Sequence, residues 1–77
     1  MTEPYLYYLF RDGLFVGKYL FSEWQKLRAD EIFNSHVWSN RNKRWYYSNW
    51  GSLIPLNDCD LPKEIQLLLM LTPLESL

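Results

Sequence analysis

The dipeptide Asp12-Gly13, set inside the run YLYYLFRDGLFVG at residues 5–17, constrains this chain more than any other feature. A two-residue type I′ turn needs positive φ at both central positions, and Asp-Gly supplies them with little strain between aromatic and β-branched flanks. The stretch therefore reads as a β-hairpin, with Phe10 across from Phe15 and Tyr8 across from Gly17. Both faces of its strands are apolar, so one face meets the core and another layer has to cover the second. A chain of 77 residues buries only about 60% of its unfolded surface, which leaves a small domain little stability to spare. Aromatic content of 18% offsets this, since each buried ring removes roughly 150–250 Å² from water.

Composition excludes several classes of function. Cys59 is the single cysteine, and with one histidine there is no Cys/His set at zinc-site spacing, so neither a disulfide framework nor a structural metal is expected. The start MTEPYLYY has no basic region or long apolar run, and the longest apolar run, LLLML at residues 67–71, falls far short of the roughly 20 residues that span a bilayer. A soluble, cytoplasmic protein without membrane contact is the simplest expectation. His36 has no cysteine or serine partner that the sequence can justify. The acids Glu23, Asp30, Glu31, Asp58 and Asp60 read as capping and solvated groups. No Gly-rich phosphate loop occurs, and the chain reads as a non-enzyme without a cofactor.

Further elements follow from capping and alternation. Ser22 with Gln25 forms a capping-box pattern that predicts a short helix from Glu23 to Asp30, with Trp24 and Leu27 on one face. Val37-Trp38 and Trp45-Tyr46-Tyr47 read as a second hairpin around the polar turn SNRNKR, whose asparagines tolerate left-handed backbone. Trp38 and Trp45 are then a cross-strand packed pair. Trp50-Gly51 and LIPL lead away in extended form. Asp60 is placed to cap a final helix with Pro62 in its first turn, and Pro73 ends it. Ile65, Leu68 and Leu69 share one side of that helix with Leu61, while Leu67, Met70, Leu71 and Leu74 occupy much of the rest. This apolar surface is too wide for one side of a surface helix. The fold class is α+β: a small antiparallel sheet with one short helix over residues 1–56, and an apolar helical segment over 57–77 that packs on the domain or on a partner.

Residues 5–50 resemble a GYF-type domain, whose signature runs W-x-Y, GPF, Met, Trp and GYF in that order. Leu6-Tyr7-Tyr8 falls where W-x-Y is expected, and Gly17-Lys18-Tyr19 follows after eight residues in the place of GPF. Four residues on stands Trp24 for the Met, two further on Leu27 for the Trp, and three further on Glu31-Ile32-Phe33 for GYF. Val37-Trp38 and Trp45 match the spacing of the divergent, largely bacterial branch of these domains. The resemblance implies a binding module that docks proline-rich peptides, with Leu6, Tyr8, Val16, Tyr19, Leu27 and Ile32 as the groove. Two pocket tryptophans are leucines here and the GYF tyrosine is isoleucine. The implied ligand is therefore an apolar or proline-containing segment of a partner protein, bound by burial more than by ring stacking.

Two other functions compete with this one. The C-terminal helix, through Ile65, Leu68, Leu69 and Leu71, could instead drive self-association or assembly into a homo-oligomer, because exposed apolar patches of that kind mark interfaces. Arg41, Lys43 and Arg44 beside Trp45, Tyr46 and Tyr47 resemble a groove for single-stranded nucleic acid. A net charge of −1 makes that electrostatic funnel weak, so nucleic acid ranks last.

Overall fold

The computed structural model describes residues 5–49 and 52–77; the extended path expected for Trp50-Gly51 lies outside these. Strands β1 (Leu6–Arg11) and β2 (Leu14–Leu20) form the first hairpin. Asp12 and Gly13 hold φ angles of 54° and 77°, as a type I′ turn requires. A Cβ added at Gly13 would lie 2.5 Å from Cβ of Glu64, so the turn is also pressed against the C-terminal helix. Phe10 faces Phe15 as expected, but Tyr8 pairs with Lys18 and not with Gly17. The cause is a β-bulge: Leu9 pairs with Gly17, which leaves Val16 as an extra residue between the two registered segments.

The helix expected from Glu23 to Asp30 is instead two single turns, α1 (Phe21–Trp24) and α2 (Ala29–Ile32). Each is started by a glutamate three residues on, not by Ser22. The Glu23 carboxylate accepts the Leu20 N–H at 2.9 Å, and Glu31 accepts the Arg28 N–H at 3.2 Å. Because Arg28 is extended, the chain leaves the helix and restarts it. Turns this short have no stability of their own; they are held by Trp24 and Ile32, both buried against the sheet.

Strands β3 (Ser35–Ser39) and β4 (Arg44–Asn49) make the second hairpin, with Trp38 paired to Trp45 and their rings 5.4 Å apart. The left-handed residue of its turn is Lys43, φ 53°, and not one of the asparagines. Asn42 instead serves the turn by hydrogen bonds, its N–H donating to Ser39 Oγ and its side chain to the Tyr46 hydroxyl. The LIPL segment belongs to a fifth strand, β5 (Ser52–Leu56), paired antiparallel to β4. Pro55 is tolerated because β5 is an edge, where one row of N–H groups has no ladder partner to serve. The full sheet is antiparallel in the order β2-β1-β3-β4-β5.

Asp60 does not cap the last helix. It closes a 3-10 turn (Asp58–Asp60), and α3 (Lys63–Leu71) begins after Pro62, whose carbonyl accepts the N–H groups of Ile65 and Gln66. The helix ends before Pro73, as expected, and a second 3-10 turn follows at Leu74–Ser76. Strand alternation then sorts the core into two clusters. Tyr7, Leu9 and Val37 point to the face covered by Trp24 and Ile32; Tyr8, Phe10 and Trp45 point to the face covered by Leu61 and Ile65. The second layer demanded by the two-faced hairpin is α3. Residues 57–77 therefore complete the core that the strands between residues 6 and 56 begin.

Candidate functional site

The bulge in β2 shapes the first candidate site. It places Val16, half exposed at 50%, in a cleft of about 340 Å³ lined also by Leu9, Arg11, Tyr19, Leu27 and Glu31. The apolar part of the lining comes from strands β1 and β2 and from Leu27 in the link between α1 and α2. Its two charged members are held in place from within. Arg11 donates from Nε to Ser35 Oγ at 3.4 Å, and Glu31 is engaged by the Arg28 N–H. The edge of Tyr19 meets Trp24 with ring centroids 6.4 Å apart, which braces one wall.

Of the six residues expected to form a groove, Val16, Tyr19 and Leu27 meet in this cleft. Ile32 lies in the adjoining core, buried with Leu9 beneath the same face. Leu6 and Tyr8 do not join them: they belong to the opposite face, in the cluster under α3. The reason is strand alternation, which turns residues 6 and 8 of β1 away from residues 7, 9 and 11. The same alternation identifies Leu9 and Arg11 as cleft residues overlooked by the sequence reading; once Tyr19 is assigned to one face, its partner Tyr7 and the following odd positions share it.

A second cleft, of about 480 Å³, opens between the tryptophan pair and α3, with Leu61, Leu69, Met70 and Leu74 in its lining. Trp45 is buried, and Trp38 is partly covered. Phe10 packs on Trp45 with centroids 5.3 Å apart. These rings are core and wall, not a platform. Tyr46 joins the other face, so the aromatics of residues 45–47 do not form one continuous stacking surface beside Arg41 and Arg44. Arg41 is itself 5.0 Å from the ring of Tyr5.

Helix α3 shows where its apolar surplus goes. Ile65, expected to contact a partner, is 0% exposed and wedges α3 onto the sheet. Leu68 and Leu69 are half-buried against that core, whereas Leu71 is 85% exposed, joined by Met70 at 80% and Leu67 at 60%. The outward residues are thus Leu67, Met70 and Leu71, two of them absent from the set read from sequence. Helical position alone could have separated them from Ile65 and Leu69, but only after one side was known to be docked.

Among the described residues, two groups titrate away from their usual ranges. Burial pushes the Tyr7 phenol upward, reinforced by its hydrogen bond to the Tyr5 hydroxyl at 3.1 Å. His36 is lowered by burial alone. It stacks obliquely on Tyr47 and borders a polar crevice with Asp12, Asn34 and Glu64. Tyr47 in turn donates to Asn34, whose φ of 54° forms the bend into β3. Cys59 is exposed. Among the described residues no helix is long and apolar enough to cross a membrane. Comparison with known protein families, curated proteins and solved structures found no match.

Proposed function

We propose that the chain is a non-catalytic protein–protein interaction module of GYF-like type, working in the cytoplasm and binding an apolar or proline-containing segment of a partner protein. The observation that carries this reading is the convergence of Val16, Tyr19 and Leu27 on one cleft. These are three of the positions that the resemblance assigns to a peptide groove. A cleft of about 340 Å³ accepts one or two side chains of an extended segment, and apolar walls with fixed polar groups at the margin suit such a ligand. Arg11 and Glu31 are already tied down, so a peptide entering between them would not have to order them. With few flat rings in the lining, the affinity comes from apolar burial.

Selection from a displayed library of random peptides tests this reading. Enriched sequences should carry aliphatic or proline residues and should lose binding to Val16→Asp by at least about tenfold, because a charge in an apolar pocket is costly. Val16 is half exposed, so the variant is expected to keep its fold. Peptides that bind Val16→Asp as well as the parent, or that respond only to Trp38→Ala in the other cleft, would sink the proposal. So would a library from which no peptide is enriched.

A further inference from the structure

The two edges of the sheet differ in what they offer a further strand. On β5, Pro55 removes an N–H from the outer row. On β2 the outer row follows from alternation, because successive residues of an antiparallel strand turn their backbone groups to one side and then to the other. At the open end of the first hairpin the Phe21 N–H donates to the Tyr5 carbonyl, whereas the Leu6 carbonyl accepts from Asn40 and so points away from β2. Counting from there, Tyr7 with Tyr19 and Leu9 with Gly17 are the pairs that exchange hydrogen bonds. Lys18, between them and opposite Tyr8, therefore turns its N–H and C=O outward. Among the described residues no loop or side chain bonds to either group. Leu20 also faces out, but its N–H is taken by the Glu23 carboxylate at 2.9 Å. On the other side of Lys18 stands the bulge at Val16. The open edge is thus a short window centred on Lys18, closed at one end by a carboxylate and at the other by a break in the ladder.

We propose that this window accepts an added strand, an extended antiparallel segment of a partner protein whose central residue pairs with Lys18. Residues opposite each other in a sheet share a face, so the two side chains flanking that central residue enter the cleft of Val16, Tyr19 and Leu27. This deepens the peptide-binding reading and rests on it.

The chemistry of the segment follows from the geometry. The central residue exchanges both hydrogen bonds with Lys18 and has to keep its N–H, which excludes proline there. Its neighbours turn their own N–H groups away from β2, so either can be proline. The central side chain lies on the same face as that of Lys18, whose ammonium is 5.9 Å from the centre of the Tyr8 ring. An acidic side chain complements it. The recognised core is therefore aliphatic or proline, then Asp or Glu, then aliphatic or proline. The same edge of a second copy is a poor occupant, because pairing centred on Lys18 would set Lys18 against Lys18.

Amide exchange of the full chain, followed by NMR, tests the proposal with the capped peptide Gly-Leu-Glu-Pro-Gly. It is added to about 2 mM, since one hydrogen-bonded pair and two buried side chains give weak binding. In the free chain the Lys18 amide should exchange freely while that of Tyr19 is protected; the peptide should slow Lys18 at least about tenfold. N-methylation of the peptide's glutamate, or proline in its place, should abolish binding, whereas N-methylation of its leucine should be tolerated. Lys18→Pro, which removes only an outward N–H, should also abolish binding. Lys18→Glu should weaken it about threefold and favour a peptide with lysine at the centre. Absence of binding by this peptide overturns the proposal, as does binding indifferent to methylation of the glutamate. A Lys18 amide already protected in the free chain overturns it too, since the edge would then be occupied. Peptides from the display selection that depend on Val16 yet tolerate N-methylation at every position would overturn strand addition and leave the cleft reading standing; a selection that enriches nothing overturns both.

Discussion

The two faces of the sheet are covered in different ways. One is closed by a single nine-residue helix, which inserts Ile65 and then continues outward with more apolar side chains than the face can use. The other is closed by two four-residue turns separated by residues 25–28, of which Arg28 is extended, and it keeps a cleft at the bulged edge. The first face is built almost wholly of aromatic and aliphatic side chains, whereas the second contains the buried serines 35, 39 and 48. Both coverings nonetheless leave an opening, the larger between α3 and the tryptophan pair and the smaller beside the two short turns.

The sharpest way to break this comparison is to remove the helix. A chain ending at Leu56 would expose Tyr8, Phe10 and Trp45, and the loss of Leu61 and Ile65 should prevent cooperative folding altogether. A sigmoidal thermal transition in that fragment would show that residues 57–77 are an accessory and not half of the core. Point truncations come next. Ile65→Ala should cost near the upper end of the ~2–5 kcal/mol found for buried large-to-small changes, and Ile32→Ala nearer the lower end. Chemical denaturation measures both. The difference arises because the sheet and α3 cannot close around a cavity as readily as a four-residue turn can shift; equal losses would mean that the two coverings are equally rigid.

The effect of pH is smaller. Burial lowers the His36 pKa in the folded state, so below its ordinary value of 6.5 the unfolded chain takes up more proton than the folded one. Stability should therefore fall as pH drops through about 6.5 and level off below the depressed native value, by at most about 1.4 kcal/mol per unit in between. His36→Gln should flatten that part of the profile, measured as unfolding midpoints between pH 7.5 and 5. The smallest effect is expected at Ser48, whose buried hydroxyl has no hydrogen-bond partner among the described residues. Ser48→Ala should leave stability unchanged or raise it by up to about 1 kcal/mol, since no bond is lost and a desolvated polar group is removed. A marked loss would reveal a partner for that hydroxyl.

Much of this molecule can be read locally. Asp12-Gly13 identifies its hairpin because positive φ at two successive positions suits few residue pairs. The Trp38–Trp45 pair follows from alternation on either side of a polar turn, and Pro73 stops α3 for want of an N–H. Capping was less legible: Ser22 and Gln25 satisfy a pattern that the chain does not use. Leu20 and Arg28 take the N-cap positions because Glu23 and Glu31 reach back to their N–H groups. The candidate cleft was legible in part. Val16, Tyr19 and Leu27 do converge, but Leu6 and Tyr8 were assigned to it by spacing, which says nothing about which side of a strand a residue faces.

By itself, then, the sequence determined the two hairpins, that the first of them has to be covered on both faces, and that the last helix carries more apolar surface than one contact can hide. Those outcomes depend on backbone stereochemistry and on burial summed over near neighbours. Only the tertiary structure decided the one-residue bulge that re-aims Val16, the break between α1 and α2, and the division of α3 into a buried Ile65 and an exposed Leu67, Met70 and Leu71. These depend on contacts between residues far apart in the chain, such as Gly13 with Glu64, where a fraction of a turn or one added residue changes which side chain faces the core and which faces water.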